Sequence, residues 1–98
     1  MSRRPNSRQV KCQLFLNCGR VDMYNMEIYA KEKLVLHHDP PFRKTQHTIY
    51  EESYLLSEET HIELHKIELD DKDEYNRRMD TIRGNKRILE KRRLERNL

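Results

Sequence analysis

The sequence predicts an α+β fold, with a small N-terminal β-hairpin or three-stranded sheet followed by a long charged C-terminal helix. Three observations predict it. Residues 10–18 (VKCQLFLNC) and 24–31 (YNMEIYAK) alternate apolar and polar side chains around Gly19, the pattern of two strands and a turn. Residues 70–98 repeat apolar and long basic side chains at spacings of four and three, the period of an amphipathic helix. The stretch between them is acidic: residues 51–74 hold ten Asp/Glu against two Lys/Arg. The alternative fold is an extended chain with helices, ordered on a partner. It arises because 35% of residues are hydrophobic against 38% charged, with no Trp, which leaves little material for a core.

Residues 1–9 (MSRRPNSRQ) read as a basic flexible arm. Residues 10–69 form the small α+β region. In it Val10, Cys12, Leu14, Leu16 and Cys18 share one parity, and Lys11, Gln13, Phe15 and Asn17 the other. Residues 33–37 (KLVLH) suit a third short strand. Asp39-Pro40-Pro41 ends it, because tandem prolines continue neither a ladder nor a helix, and 38–48 is then a polar loop. Residues 49–69 fit two assignments. Ser57 with Glu58 and Glu59 is a helix start, whereas Ile62, Leu64, Ile67 and Leu69 alternate in pairs like a bulged strand.

Residues 70–98 form the charged amphipathic helix. Asp71 with Glu74 three residues on is a capping-box pattern. From there Tyr75, Met79, Ile82, Lys86, Leu89, Arg93 and Arg96 make a seam with the a/d spacing of a coiled coil, apolar in front and basic behind. Gly84-Asn85 interrupts the helix pattern and predicts either a weak point or a break.

Charge and cysteine content narrow the function classes. Residues 1–50 carry nine Lys/Arg against four Asp/Glu, and residues 75–98 nine against three. Two basic blocks therefore flank the acidic one, either screening it or meeting an external polyanion. Two cysteines are too few for a stapled secreted fold. The apolar run Leu14-Phe15-Leu16 is too short for a signal-peptide core or a membrane span. An intracellular site, cytoplasmic or nuclear, is expected. The acid-free, Arg- and Ser-bearing residues 1–21 also suit a mitochondrial presequence.

Catalytic chemistry finds no support. The chain has two glycines, no phosphate-cradling loop and no nucleophile elbow. The carboxylate pairs Glu51-Glu52, Glu58-Glu59 and Asp70-Asp71 lie in a solvated acidic run. His61 and His65 have the i,i+4 spacing of metal ligands if helical, with Cys12, Cys18, His37 and His38 available elsewhere. Cys-x5-Cys, however, is not a zinc-ribbon spacing, so unconnected surface histidines and no cofactor are expected. Aromatic residues Tyr24, Tyr50, Tyr54, Phe15 and Phe42, near Arg43 and Lys44, fit packing better than base stacking.

The expected function is that of a non-enzymatic interaction subunit. Tyr75, Met79, Ile82 and Leu89 supply its protein interface. Lys86, Arg87, Lys91, Arg92, Arg93 and Arg96 supply a polyanion-binding end, and residues 7–20 a second contact arm. The partner is a larger protein or ribonucleoprotein assembly presenting an acidic surface or RNA, with no membrane, and the seam is also suited to a homodimer. The alternative is an RNA- or DNA-binding protein that uses the basic helix, as a dimer and without strong sequence specificity.

Overall fold

A computed structural model describes residues 6–39 and 48–96, apart from the side chain of Arg96. Most of the N-terminal arm, most of the loop at 38–48 and the Arg96 contact fall outside the described residues. Among the described residues the fold is α+β, with three α-helices and a two-stranded antiparallel sheet. In chain order come α1 (Ser7–Cys18), β1 (Leu34–His38), β2 (Ser53–Ser57), α2 (Glu58–Asp70) and α3 (Lys72–Arg96).

The predicted N-terminal hairpin is not formed. Residues 10–18 belong to helix α1, and the sheet has two strands rather than three. In α1 the Asn6 side chain accepts from the Gln9 amide at 2.8 Å, and the Gln9 side chain accepts from the Asn6 amide at 2.9 Å, a reciprocal capping box. At the other end Gly19 adopts φ +84° and donates to the Phe15 carbonyl, a conformation that costs a residue with a Cβ. Between these stops Val10, Leu14 and Cys18 recur every four residues and are buried, while Cys12 and Leu16 of the same parity face solvent.

Residues 20–29 make a tight excursion closed by a single bridge between Val21 and Ile28. The Met23 amide donates to the Leu55 carbonyl at 2.8 Å. This excursion therefore covers one edge of β2 while β1 covers the other, in the register Leu34↔Ser57 to His38↔Ser53. All five residues of β2 are buried. The strand predicted at residues 33–37 thus appears one residue later, paired with β2.

Over residues 57–69 the helix assignment holds and the bulged strand does not form, because Ile62, Leu64, Ile67 and Leu69 all lie in α2. A strand that the spacing did not single out, β2, precedes it. β2 ends at Ser57, whose hydroxyl accepts from the Thr60 amide and caps α2. Asp71 then serves two helices. Its amide closes α2 on the Ile67 carbonyl, and its carboxylate accepts from the Glu74 amide to open α3.

Helix α3 is unbroken through Gly84, where an added Cβ would meet nothing within 4 Å. The predicted break is absent because the residues on both sides are tied to the core. Ile82 is fully buried before the glycine, and Asn85 after it donates to the Met23 carbonyl at 2.8 Å. α3 packs along α1, α2 and β2. The core joins Val10 and Leu14 of α1, Leu34 of β1, Leu55 and Leu56 of β2, Leu64 of α2, and Met79 and Ile82 of α3. No helix is long and apolar enough to cross a membrane among the described residues.

Candidate functional site

The seam of α3 turns inward. Tyr75, Met79, Ile82 and Leu89 all lie in the chain's own core, at 4%, 0%, 0% and 7% exposure. The spacing identified which face is apolar, and the chain's own α1, α2 and β2 cover that face.

The basic side chains of α3 divide into two groups by their partners. Arg77 and Arg78 both bind Glu74, and Arg78 also reaches Glu63 at 3.3 Å. Arg83 pairs with Asp39 and Asp80. Lys86, predicted to meet a polyanion, is only 5% exposed. Its ammonium donates to the carbonyls of Tyr50 and Ser53 at 2.5 and 3.0 Å, over the rings of Tyr50 and Tyr54. Arg93 donates to the Asn17 side-chain oxygen at 2.7 Å and ties the end of α3 to α1. Lys72, at the acidic start of the helix, lies over the Tyr75 ring, and Arg87, Lys91 and Arg92 remain at the basic end. All three are exposed and form no ion pair among the described residues.

Arg92 borders an open groove of about 590 Å³ between α3 and the 19–28 excursion. Val21 and Leu89 lie beneath, Ile28 stands 80% exposed at the lip, and Arg20, Arg92 and Glu95 form the polar rim. Cys18 is the nucleophile among the groove's described lining residues. Burial, with the Glu90 carboxylate adding to it, pushes that thiol up to about 11, so it carries almost no thiolate at neutral pH. Tyr50 links this region to α1 by accepting from Asn17 at 3.0 Å and donating to Glu90 at 2.5 Å. Burial and the Glu90 hydrogen bond push its phenol well above the usual range.

A thiol test follows. Cys12 is exposed and Cys18 buried. They stand six residues apart on one helix, roughly 9 Å along its axis, too far for a disulfide. Iodoacetamide at pH 8 is expected to modify one thiol per folded chain rapidly, and the second only after denaturant is added. Mass spectrometry of the labelled peptides checks this, and equal rates at Cys12 and Cys18 would contradict the burial.

The histidines are not unconnected, contrary to the sequence expectation. His61 and His65 share a face of α2 with their Nε2 atoms 3.0 Å apart, and His37 of β1 packs edge-on against both rings. One nitrogen of each ring lies within 4.8 Å of the others, and Cys12, Cys18 and His38 are not in the group. His37 is held by the Tyr75 hydroxyl, 3.0 Å from its Nε2. Burial, then the neighbouring His61 and His65, lowers its pKa to about 3, so the ring is neutral at physiological pH. The i,i+4 spacing signalled two of these residues. The third depends on β1 lying against α2.

Comparison of the chain with protein-family models, with curated proteins and with solved structures finds no match.

Proposed function

We propose that the chain is a non-enzymatic interaction module that seats an acidic segment of a protein partner, within a larger assembly, on the basic end of α3. The observation that carries this reading is the division of the cations. Arg77, Arg78, Arg83, Lys86 and Arg93 are engaged internally, whereas Arg87, Lys91 and Arg92 stay free on the outward face. Beside Arg92 the groove offers an apolar base, an exposed Ile28 and a second arginine, Arg20. That combination suits a carboxylate flanked by an apolar side chain, since the arginine forks take the acid while the apolar group covers Leu89 and Ile28.

Nucleic acid fits the same surface less well. Glu95 stands in the rim. Tyr24 lies under Arg78, and Tyr50 and Tyr54 lie under Lys86, so these rings are not open to stack bases beside the free cations. A second copy of the chain is disfavoured as the occupant because the apolar seam is already covered. The module belongs in a reducing compartment, where both cysteines remain thiols.

Cutting the chain after Arg83 is a poor test, because it removes the buried Lys86 and Leu89. The test is instead the exposed triple variant Arg87→Glu, Lys91→Glu, Arg92→Glu. Its binding to a Glu-rich, Leu-containing peptide and to single-stranded and duplex RNA is compared with the parent's across a salt series. Peptide binding by the parent is expected to fall about tenfold or more in the variant, with unchanged circular dichroism. Tight RNA binding with a steep salt slope, lost in the same variant, would replace this reading with the nucleic-acid one. Peptide binding indifferent to the three charges would overturn both.

A further inference from the structure

From His37, His61 and His65 we infer a binding site for one divalent transition-metal ion of the zinc class, clamping strand β1 to helix α2. The inference is independent of the docking surface, since none of the three residues borders the groove. Three imidazole nitrogens already lie within 4.8 Å of one another. Around a tetrahedral zinc with Zn–N bonds near 2.0–2.1 Å, neighbouring nitrogens sit about 3.3 Å apart. The Nε2 atoms of His61 and His65 are 3.0 Å apart before any adjustment. One turn of helix therefore presents two ligands at nearly the required separation, and a side-chain shift of about 1.5 Å brings the third.

The surroundings supply partners of the kind that hold a metal-bound imidazole in place. With Nε2 of His65 turned to the cluster, the Glu68 carboxylate lies 3.9 Å from its Nδ1, longer than a hydrogen bond but a small side-chain rotation from the position in which an acid orients a ligand ring. The Tyr75 hydroxyl holds the His37 ring from α3. Exposure is graded, with His37 buried, His61 half-buried and His65 exposed. The site thus has a closed floor and one open side through which an ion enters and water completes the coordination. Three neutral nitrogens and no carboxylate in the ligand set select a borderline ion such as Zn2+, Co2+ or Ni2+ over Mg2+ or Ca2+. Because His37 lies on β1 and His61 and His65 on α2, the three nitrogens converge only in the folded chain, and an ion bound by all three stabilises it.

The experiment uses the full chain, freed of metal with a chelator and then titrated with Zn2+ by calorimetry and with Co2+ by visible absorption. One ion per chain is expected, with a Kd of about micromolar or below, no response to Mg2+, and a Tm rise of roughly 10 °C or more at hundredfold excess over Kd. His37→Ala risks unfolding, so the deciding variants are the exposed His65→Gln and the half-buried His61→Gln. Each is expected to fold, to weaken Zn2+ binding about a hundredfold, and to lose the Co2+ ligand-field bands. Failure of the parent to take up stoichiometric Zn2+ would overturn the site. So would uptake that survives in the His61→Gln, His65→Gln double variant, which would place the ion elsewhere. In either case the cluster is only a hydrogen-bonded packing feature.

Discussion

Asp22→Ala is expected to cost a large share of the protein's folding stability, about 3–5 kcal/mol, although it deletes only one small polar side chain. Asp22 is fully buried. One carboxylate oxygen accepts from the amides of Tyr24 and Asn25, at 2.7 and 3.2 Å. The other accepts from the amide of Ser57 at 2.9 Å. The first pair shapes the 20–29 excursion. The third bond fastens that excursion to the junction where β2 becomes α2. Alanine leaves three amides without an acceptor in a place water reaches poorly, and each lost partner costs about 1–3 kcal/mol when it stays unmet. The sum is comparable with the whole stability of a small domain, about 5–15 kcal/mol. Asp22→Asn should fall between parent and alanine, because it keeps one acceptor oxygen but aims an NH2 at another donor. Urea unfolding of the three proteins checks the order, and a loss below 1 kcal/mol in the alanine variant would refute the account.

Nothing in the linear sequence marks Asp22 as this pin, because Ser57 lies thirty-five residues away. What was legible was local. The start of α3 at Asp71 and the buried line Tyr75, Met79, Ile82, Leu89 follow from capping chemistry and spacing. What covers that line is a tertiary fact, and the same spacing served equally for an external partner. The misreading of α1 has a different cause. Val10, Leu14 and Cys18 recur every four residues, and four is also an even number, so a helix stripe with Cys12 and Leu16 beside it imitates strand alternation. The deciding signals lay just outside the run, in the Asn6 and Gln9 cap and in Gly19. The histidine cluster was half legible for a related reason. Helix spacing joins His61 to His65, but only the sheet brings His37 to them.

Lys86→Glu is the second large effect, expected to cost about 3–5 kcal/mol. The seam spacing placed Lys86 among the core-facing residues, and its charge suggested an external ligand. The structure gives it an internal one. Its ammonium bridges two backbone carbonyls of the Tyr50–Glu52 turn and β2, between the Tyr50 and Tyr54 rings. Burial lowers its pKa, and the nearby Glu90, Cys18 and Glu51 oppose that shift. A glutamate there turns two carbonyl oxygens and the Glu90 carboxylate against a buried negative charge. Lys86→Met separates charge from packing. It keeps the aliphatic stem and drops the ammonium, so the two carbonyls lose their donor while the cost of burying a cation also disappears, and a loss of only about 1–2 kcal/mol is expected. Urea midpoints should therefore order parent, Met, Glu. If Lys86 acts inside the fold, the folded Met variant also keeps the parent's peptide and RNA affinities within about twofold, whereas reversal at Arg87, Lys91 and Arg92 does not. A glutamate variant within 1 kcal/mol of the parent would show that the Lys86 ammonium does not hold the turn to α3.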